Sequence, residues 1–312
     1  MTVAVLGGGL MGSGIAQVFA AAGFATRIYD PSSVIQAALP ARIRESLAAT
    51  GGDPATVDLI EITGDLAKTV TGASFVTECA PEKIEVKREL FKALVEQAPA
   101  DAILATNTSV ISITSIAEGL PTAERIVGTH WWNPAPLIPL VEVVPGEHTS
   151  ADTVRAAMAM MRRIGKSPAQ LHKDVPGFIG NRLQFALWRE AISMVADGIC
   201  DAATLDLCVK SSFGRRLAVL GPLENADLIG LDLTLDIHRT IIPELDRHAA
   251  PHEYLEARVA SGKLGFKTGE GFKIWSEEDM LRIRQDLITH LLSLQGAPPP
   301  NGKVEASSCV RD

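Results

Sequence analysis

The sequence of 312 residues predicts an α/β domain followed by an all-helical domain, and two observations lead to this fold class. In the first half, short apolar strands alternate with amphipathic helical stretches, which is typical of a parallel sheet built from βαβ units. After "KDVPGF" helical patterns continue without convincing strand pairs. We therefore expect domains at 1–176 and 177–295. The remaining segment, 296–312, has three consecutive prolines and no apolar period, which predicts a disordered tail.

The individual elements follow from their apolar patterns. Seven strands are expected in the first domain: Thr2–Leu6, Thr26–Asp30, Leu59–Thr63, Ser74–Cys79, Ile103–Asn107, Arg125–His130 and Leu140–Val144. "EKIEVKRELFKALVEQ" is predicted to be a helix, because its apolar residues recur at helical spacing. Another helix should begin at the cap Ser150 and end at Gly165. In the second domain, "NRLQFALWREAISMVADG" predicts a long helix that ends at Gly198.

Composition excludes several classes of partner. The formal net charge is −8, whereas nucleic acid or an anionic membrane would favour a basic face. The apolar N-terminus lacks the basic region of a signal peptide and is interrupted by glycines. No apolar run reaches the length of a membrane span. The four cysteines show neither CxxC spacing nor a disulfide framework, so we expect a cytoplasmic protein without a metal site.

The first strand leads into a glycine-rich turn, "GGGLMGSG", that opens a helix. Glycines at positions 7, 9 and 12 in this context form the fingerprint of a dinucleotide site in a Rossmann-type domain. The second strand ends in an acid that would accept bonds from ribose hydroxyls and repel a 2′-phosphate, which predicts NAD rather than NADP. The candidate cofactor-binding residues are Gly7, Gly9, Leu10, Met11, Gly12 and Asp30. Asp30 could also serve as a cap for the helix that follows it.

Four polar residues stand at the ends of apolar segments: Ser109, His130, Glu142 and Asn181. Sheets of this type bind ligands beyond the carboxyl ends of their strands, and Ser109 and His130 follow two such ends. Transfer of a hydride from an alcohol to NAD needs a base for the hydroxyl proton, and histidine suits that task near neutral pH. A carboxylate on the other ring nitrogen would fix the tautomer and stabilise the imidazolium.

Five segments together resemble the 3-hydroxyacyl-CoA dehydrogenase family: "TECAPEKIEVKRELF", "NTS", "GTHWWNP…LVEVV", "KDVPGFIGNR" and "GKLGFKTGEGF". The similarity extends from Thr2 to about Trp275. It implies an NAD-dependent enzyme whose helical domain forms a homodimer.

The resemblance also implies roles for individual residues. His130 would be the general acid/base with Glu142 as its partner, Ser109 would bond the reacting oxygen, and Asn181 would hold a substrate carbonyl or carboxyl oxygen. Four further residues would line the nicotinamide ribose region: Glu82, Lys87, Asn107 and Asn133.

Taken singly, these residues also have structural interpretations. A histidine at a strand end is often a hydrogen-bonded core residue, and Glu142 alone would be an ordinary outward strand residue. Ser109 and Asn181 alone would be turn and cap residues. Trp131 and Trp132 would pack in the core, or one of the two, Trp131 or Trp132, would form a wall of the substrate pocket. It is the joint occurrence of these residues that favours catalysis.

Two departures from the acyl-CoA pattern point to a different substrate. The stretch after the second strand, "PSSVIQAALPARIRESLAATGGDPATVDLIEIT", is short, has no lysine, and offers only Arg42 and Arg44 to CoA phosphates. Second, "SSFGRRLAVLGPLE" places Arg216 where a branch of the family has a basic residue. That branch includes lambda-crystallin/L-gulonate 3-dehydrogenase, carnitine dehydrogenase and a pyridine-carboxylate dehydrogenase of vitamin B6 degradation.

A guanidinium at position 216 could bind a substrate carboxylate in a bidentate manner. Its alternative role is an ion pair, formed together with Arg215, to Glu224 or Asp227.

The sequence thus predicts an NAD-dependent oxidoreductase acting on a secondary, 3-hydroxy-type alcohol of a small carboxylate-bearing substrate, with Arg216 and Trp132 as substrate residues. The alternatives are an L-3-hydroxyacyl-CoA dehydrogenase for short-chain acyl-CoA and a non-catalytic, crystallin-like dinucleotide-binding protein.

Overall fold

The computed structural model describes residues 1–295, and the contacts among these residues divide them into two units. The first unit comprises Met1–Arg182 and Ile288–Gln295, and the second comprises Leu183–Leu287. The domain limits expected from the sequence, 1–176 and 177–295, stay a prediction beside these units. The expected disordered tail, 296–312, lies outside the described residues.

One sheet of eight strands forms the centre of the first unit. The strands are β1 Thr2–Leu6, β2 Ala25–Tyr29, β3 Ile60–Thr63, β4 Ala73–Glu78, β5 Ile103–Thr106, β6 Ile126–Trp131, β7 Leu140–Pro145 and β8 Ser167–Gln170. Their order across the sheet is β3-β2-β1-β4-β5-β6-β7-β8. The seven expected strands are all present. The prediction missed β8, whose "SPAQ" contains a proline that only an edge strand tolerates.

Six helices belong to the first unit: α1 Leu10–Ala21, α2 Ser33–Thr50, α3 Leu66–Val70, α4 Ile84–Gln97, α5 Ile113–Ala117 and α6 Ala151–Arg163. The helix expected after Ser150 is α6, and the Ser150 side chain caps it by accepting a hydrogen bond from the Thr153 N–H at 3.1 Å. Its chain then leaves the helix at Gly165, where φ is +78°. This is the left-handed conformation that glycine adopts without a steric cost.

Both faces of the sheet are buried, as a largely parallel sheet requires. Val3 and Val5 of β1 point into one apolar cluster, which also contains Phe19 of α1. Ala4 and Leu6, the alternate residues of the same strand, point into a second cluster with Phe91 of α4. The alternation fixes the strand register, because a slip by one residue would exchange the two faces.

Strand direction determines which loops meet. The pairs within β3-β2-β1-β4-β5-β6 are parallel, so the loops after β1, β4 and β5 leave the same edge of the sheet. The chain then reverses: β6 and β7 are antiparallel, and their register places His130 directly opposite Glu142. This reversal brings a histidine and a carboxylate that are twelve residues apart into one cross-strand pair.

The remaining helices are α7 Gly180–Ala196, α8 Ala202–Ser211, α9 Pro222–Ile229, α10 Leu231–Ile241, α11 Glu253–Ala260 and α12 Glu277–Ser293. The second unit is helical, as expected from the sequence, with only isolated bridges near Gly265, Glu270 and Ile274. Helices α8 to α11 contain no buried residue. Among the described residues, no helix combines the length and apolar character needed to cross a bilayer.

Candidate active site

The turn after β1 has the shape of a dinucleotide cradle. Gly7 has φ +108°, and a Cβ on it would lie 2.7 Å from the Cys79 carbonyl oxygen. A Cβ on Gly12 would lie only 1.8 Å from the Gly7 carbonyl oxygen, whereas one on Gly9 would meet open space. Gly9 is also the N-cap of α1 and provides no side-chain cap. The first N–H groups of α1 therefore have no side-chain cap, and the phosphate contact that the fingerprint predicts for them stays a prediction.

Asp30 shapes this cradle from its second side. One carboxylate oxygen accepts a hydrogen bond from the Gly8 N–H at 2.8 Å, and the other accepts from the Ser32 N–H at 2.9 Å. The cap of α2 is Ser32, whose side chain accepts from the Ile35 N–H. The alternative role of Asp30 as that helix cap is therefore wrong. Arg42 donates to the Gly8 carbonyl at 2.7 Å, so Gly8 is held at both its N–H and its carbonyl.

A cavity of about 940 Å³ opens beside this turn. Its lining includes Gly7, Gly9 and Asp30, together with Tyr29 and Pro81. The volume suits a ligand of nucleotide size, and the open space at Gly9 lets a ligand approach the backbone closely. These residues fit NAD: Gly9, Leu10 and Met11 at the start of α1 would hold the pyrophosphate, and Asp30 would face the ribose.

The buried pair His130–Glu142 forms the chemical centre of the first unit. The ring Nδ1 lies 2.7 Å from Glu142 Oε2, and both side chains are almost inaccessible to solvent. Glu142 Oε1 accepts two further bonds, from the N–H groups of Ile179 at 2.9 Å and Gly180 at 3.1 Å. Burial raises the pKa of Glu142, but the hydrogen bonds with His130, Gly180 and Ile179 lower it further, so the pKa is below its usual value.

An ionised Glu142 fixes the histidine tautomer. A carboxylate accepts but does not donate hydrogen bonds, so Nδ1 carries the proton and Nε2 is left with its lone pair. The ring lies beside two aromatic side chains, with its centroid 5.4 Å from those of both Trp132 and Phe178. Nε2 has no hydrogen-bond partner among the described residues. The arrangement can accept a proton at Nε2 and stabilise the resulting imidazolium.

Ser109 lies on the loop after β5, and its backbone is fixed on both sides. Its N–H donates to Glu82 Oε1 at 2.9 Å, and its carbonyl accepts from Asn181 Nδ2 at 3.3 Å. Within the described part of the chain its hydroxyl has no partner. The structure thus brings Ser109 and Asn181 into contact, and their roles toward a substrate stay predictions.

The four residues expected near the nicotinamide ribose differ in their accessibility. Glu82 is about a third exposed, whereas the Lys87 side chain is fully buried with its ammonium 2.8 Å from Glu78. The Lys87 side chain is therefore not exposed to a cofactor in this structure, and its expected place beside the nicotinamide ribose stays a prediction. Asn107 is half-buried, and its Oδ1 accepts from the Trp131 N–H at 2.8 Å. Asn133 is exposed.

The adjacent tryptophans have different environments, because successive residues of an extended chain point to opposite faces. Trp131 is buried in the core, 6.0 Å from the ring of Phe19, so the packing interpretation holds for it. Trp132 shares a face with His130 and lies against Gly180, where a Cβ would be 2.3 Å from the indole. It is half-buried, and its assignment to a substrate pocket stays a prediction.

Arg216 belongs to the second unit, at the end of a short turn of 3₁₀ helix Phe213–Arg215, and its side chain is exposed. No ion pair within 4.0 Å joins Arg215 or Arg216 to Asp227 in the described chain.

Three buried charges were not expected from the sequence: Glu78 at the end of β4, Arg125 before β6 and Lys166 before β8. Glu78 binds the ammonium of Lys87. Lys166 donates to the carbonyls of Ala135 and Ile138 in the turn between β6 and β7. The signal that singled out Glu142, a charge within an apolar strand, would have found Glu78 as well.

Two family models match the chain in order. The NAD binding domain of 3-hydroxyacyl-CoA dehydrogenase matches residues 2–175, and the C-terminal domain of 3-hydroxyacyl-CoA dehydrogenase matches residues 177–275.

Three curated relatives have similar sequences. The 5-formyl-3-hydroxy-2-methylpyridine 4-carboxylate 5-dehydrogenase of Mesorhizobium japonicum is 32% identical over 94% of this chain and 96% of its own. The L-carnitine dehydrogenase of Streptomyces coelicolor is 38% identical over 73% of each chain. The human mitochondrial hydroxyacyl-coenzyme A dehydrogenase is 37% identical over 86% of this chain and 90% of its own.

Among solved structures, a 5-formyl-3-hydroxy-2-methylpyridine 4-carboxylic acid 5-dehydrogenase, an NAD⁺-dependent dismutase, has a TM-score of 0.87 to this chain. It is 31% identical, and the match covers 94% of this chain and 96% of that chain.

Proposed function

This chain belongs to the 3-hydroxyacyl-CoA dehydrogenase family, as an NAD-dependent dehydrogenase acting on CH–OH groups, and we propose that its substrate is a small 3-hydroxy-type alcohol with a free carboxylate. The observation that carries the catalytic part is the buried His130–Glu142 bond of 2.7 Å. It leaves Nε2 of the ring as the proton acceptor.

The chain's own residues would perform the proton transfer. In the oxidation direction, the Ser109 hydroxyl and His130 Nε2 bind the substrate hydroxyl, and Nε2 takes its proton. Glu142 stabilises the imidazolium, and Asn181 orients the substrate carbonyl or carboxyl oxygen. NAD, when bound, accepts the hydride. In the reduction direction His130 returns the proton to the carbonyl oxygen.

The structure of α2 favours a substrate other than acyl-CoA. CoA carries several phosphate charges, which usually bind to a basic surface. Helix α2 has no lysine, and its two arginines are Arg42 and Arg44. The guanidinium of Arg42 is engaged with the Gly8 carbonyl, which leaves Arg44 as the exposed cation of this helix.

A free carboxylate needs a cation or a set of donors, and we assign this role to Arg216, with Trp132 as a wall of the pocket. A guanidinium binds a carboxylate through two parallel N–H donors. The names of two relatives support the free carboxylate, since one acts on a pyridine 4-carboxylate, at a 5-formyl group rather than a secondary alcohol, and another acts on L-carnitine. The similarity to the human hydroxyacyl-coenzyme A dehydrogenase makes a short acyl-CoA the competing outcome.

A substrate panel tests the proposal. NADH absorbance is followed with 3-hydroxybutyryl-CoA, 3-hydroxybutyrate, L-gulonate, L-carnitine and pyridine alcohols. We expect turnover of a free carboxylate substrate, and a loss in kcat/KM of about tenfold or more in Arg216→Ala, with partial retention in Arg216→Lys. Normal turnover of the acyl-CoA that is unchanged in Arg216→Ala would contradict the proposal.

We further propose a homodimer through the helical domain, in a reducing cytoplasm. Helix α10 supports the dimer, because Leu231, Leu235 and Ile241 are each about half exposed or more and such apolar surface marks an interface. Free thiols at Cys79, Cys200 and Cys208 support the compartment. Light scattering coupled to size exclusion should give twice the chain mass, and Leu235→Asp should reduce it; a monomer in the wild type would refute the dimer.

A further inference from the structure

The loop that carries Ser109 is bound by a single carboxylate oxygen. Glu82 Oε1 accepts hydrogen bonds from the N–H groups of Ser109 at 2.9 Å and Val110 at 3.0 Å, and also from the Thr108 hydroxyl. The Ile111 N–H lies slightly farther away, at 3.4 Å. Successive N–H groups that converge on one point form an anion-binding concavity. Here the anion is a side chain of the protein itself.

A buried ion pair stands behind this carboxylate. The Lys87 ammonium lies 2.8 and 3.0 Å from the two oxygens of Glu78, and 3.5 Å from Glu82 Oε2. The side chains of Lys87 and Glu78 are fully buried. Glu78 also accepts from the Thr106 hydroxyl at 2.6 Å. The chain of charges Glu78–Lys87–Glu82 therefore connects the ends of β4 and β5 to the start of α4.

The position of Glu82 keeps its carboxylate ionised. Burial raises its pKa, but the hydrogen bonds from Thr108 and Val110 and the charge of Lys87 lower it further, so the pKa lies below its usual value. A charged acceptor makes hydrogen bonds roughly twice as strong as a neutral one. The loop is therefore held by charge-assisted bonds on the side of Glu82.

We propose that Glu82 is a positioning residue for Ser109, a role that rests on the proposed function of the Ser109 hydroxyl. The N–H of Ser109 is bound to Glu82 and its carbonyl to Asn181, so both peptide groups that set the direction of its side chain are fixed. This role differs from the ribose contact that the family resemblance implies. Oε1 of Glu82 already has its donors, and it acts on the reaction through Ser109.

A kinetic experiment separates the two roles. Glu82→Gln removes the charge but keeps the size of the side chain, and Glu96→Gln, at an exposed position of helix α4, which begins two residues after Glu82, is the control. If Glu82 acts through Ser109, kcat falls by about tenfold in Glu82→Gln, because the loop loses charge-assisted bonds, while the NADH dissociation constant stays within about twofold. Glu82→Asp, which keeps the charge but shortens the reach, should give a smaller loss in the same direction.

The double variant gives the decisive comparison. If Glu82 acts through Ser109, Ser109→Ala and Ser109→Ala/Glu82→Gln have the same kcat, since the serine hydroxyl is already absent. Losses that multiply, together with weaker NADH binding in Glu82→Gln, would overturn the proposal in favour of a direct cofactor contact.

Hydrogen exchange tests the positioning without turnover. Peptide amides of residues 108–112 should exchange about tenfold faster in Glu82→Gln than in the wild type or Glu96→Gln, because local protection follows the strength of these bonds. Unchanged exchange would refute the positioning of the Ser109 loop by Glu82, whatever the substrate is. Faster exchange in a protein that oxidises no alcohol in the panel would support this positioning and refute the proposed function instead.

Discussion

Replacing Glu142 by glutamine tests how the structure sets the histidine tautomer. Oε1 of Glu142 faces two N–H donors, from Ile179 at 2.9 Å and Gly180 at 3.1 Å. In Glu142→Gln, these donors require the amide oxygen at that position, so the amide NH₂ must face His130 Nδ1. Nδ1 then has to accept, which moves the ring proton to Nε2 and removes the lone pair that would take the substrate proton.

The expected loss follows from this reversal. An enforced wrong tautomer in a carboxylate–histidine pair costs about 10³- to 10⁴-fold in kcat. The loss of a buried charged acceptor also lowers the free energy of unfolding by about 1–3 kcal/mol. Initial rates of NADH formation measure the first effect and urea denaturation the second. Heteronuclear NMR of the imidazole nitrogens reports the tautomer directly, with the proton on Nδ1 in the wild type and on Nε2 in the variant.

Two results would show that Glu142 does not set the tautomer of His130. A kcat within about tenfold of the wild type, in a variant whose NADH binding is unchanged, would show that the tautomer is not set by Glu142. An Nε2 proton in the wild-type ring would show the same without any substrate. The conservative variant Glu142→Asp keeps the charge but withdraws it by one methylene, so we expect it to retain the tautomer and lose activity through distance alone.

Three further predictions concern the cradle and the buried charges. Gly12→Ala should lower stability and abolish NADH binding, because its Cβ would lie 1.8 Å from the Gly7 carbonyl oxygen. Gly9→Ala has open space around its Cβ, so it should keep the melting temperature of the wild type but bind NADH more weakly. Equal melting temperatures of Gly12→Ala and Gly9→Ala would contradict this prediction. The pKa values of Glu82 and Glu142 are depressed in the folded state, so both carboxylates stabilise the fold above the unfolded pKa of about 4.3, and this stabilisation is lost as the pH falls through the folded pKa values. In urea titrations at several acidic pH values, the free energy of unfolding should therefore fall less steeply with decreasing pH in Glu82→Gln than in the wild type. The same dependence on pH in both proteins would refute this prediction. Burial lowers the pKa of Lys166 to about 8, so between about pH 8 and pH 10.4 the unfolded chain holds a proton that the folded chain has lost. As the pH rises through this window, the free energy of unfolding of the wild type should increase by up to about 3 kcal/mol relative to that of Lys166→Met. A difference that does not change with pH would show that the ammonium is not desolvated.

Much of the fold could be predicted because its signals are local. Apolar runs predict the seven strands. Ser150 caps the start of α6, and Gly165 follows its end with a left-handed conformation. β8 has no such signal, since none of its four residues is buried and one of them is Pro168. Only the pairing with β7 makes this segment a strand.

The site could be predicted in its residues but not in its connections. His130 and Glu142 stand out as charges in apolar strands, and the resemblance joins them. The bonds around Ser109 depend on the contact of α4 with the end of β4, which no spacing in the sequence shows. For this reason Lys87 was expected at the ribose, whereas the structure buries it against Glu78.

The different environments of the two tryptophans also could not be predicted from the sequence. Trp131 and Trp132 have the same chemistry and adjacent numbers, so composition cannot separate them. The direction of the chain at the end of β6 separates them, because Trp131 points toward Phe19 and Trp132, one residue after the strand, lies beside His130.

Replacement of His130 by alanine probes the proton transfer itself. The NADH dissociation constant and kcat are determined for His130→Ala and the wild type with the best substrate of the panel. We expect an unchanged NADH affinity and a fall in kcat of about 10³-fold or more, because the general base is absent and Glu142 cannot replace it from behind the ring. A near-normal kcat with intact NADH binding would contradict the assignment of His130 as the proton carrier.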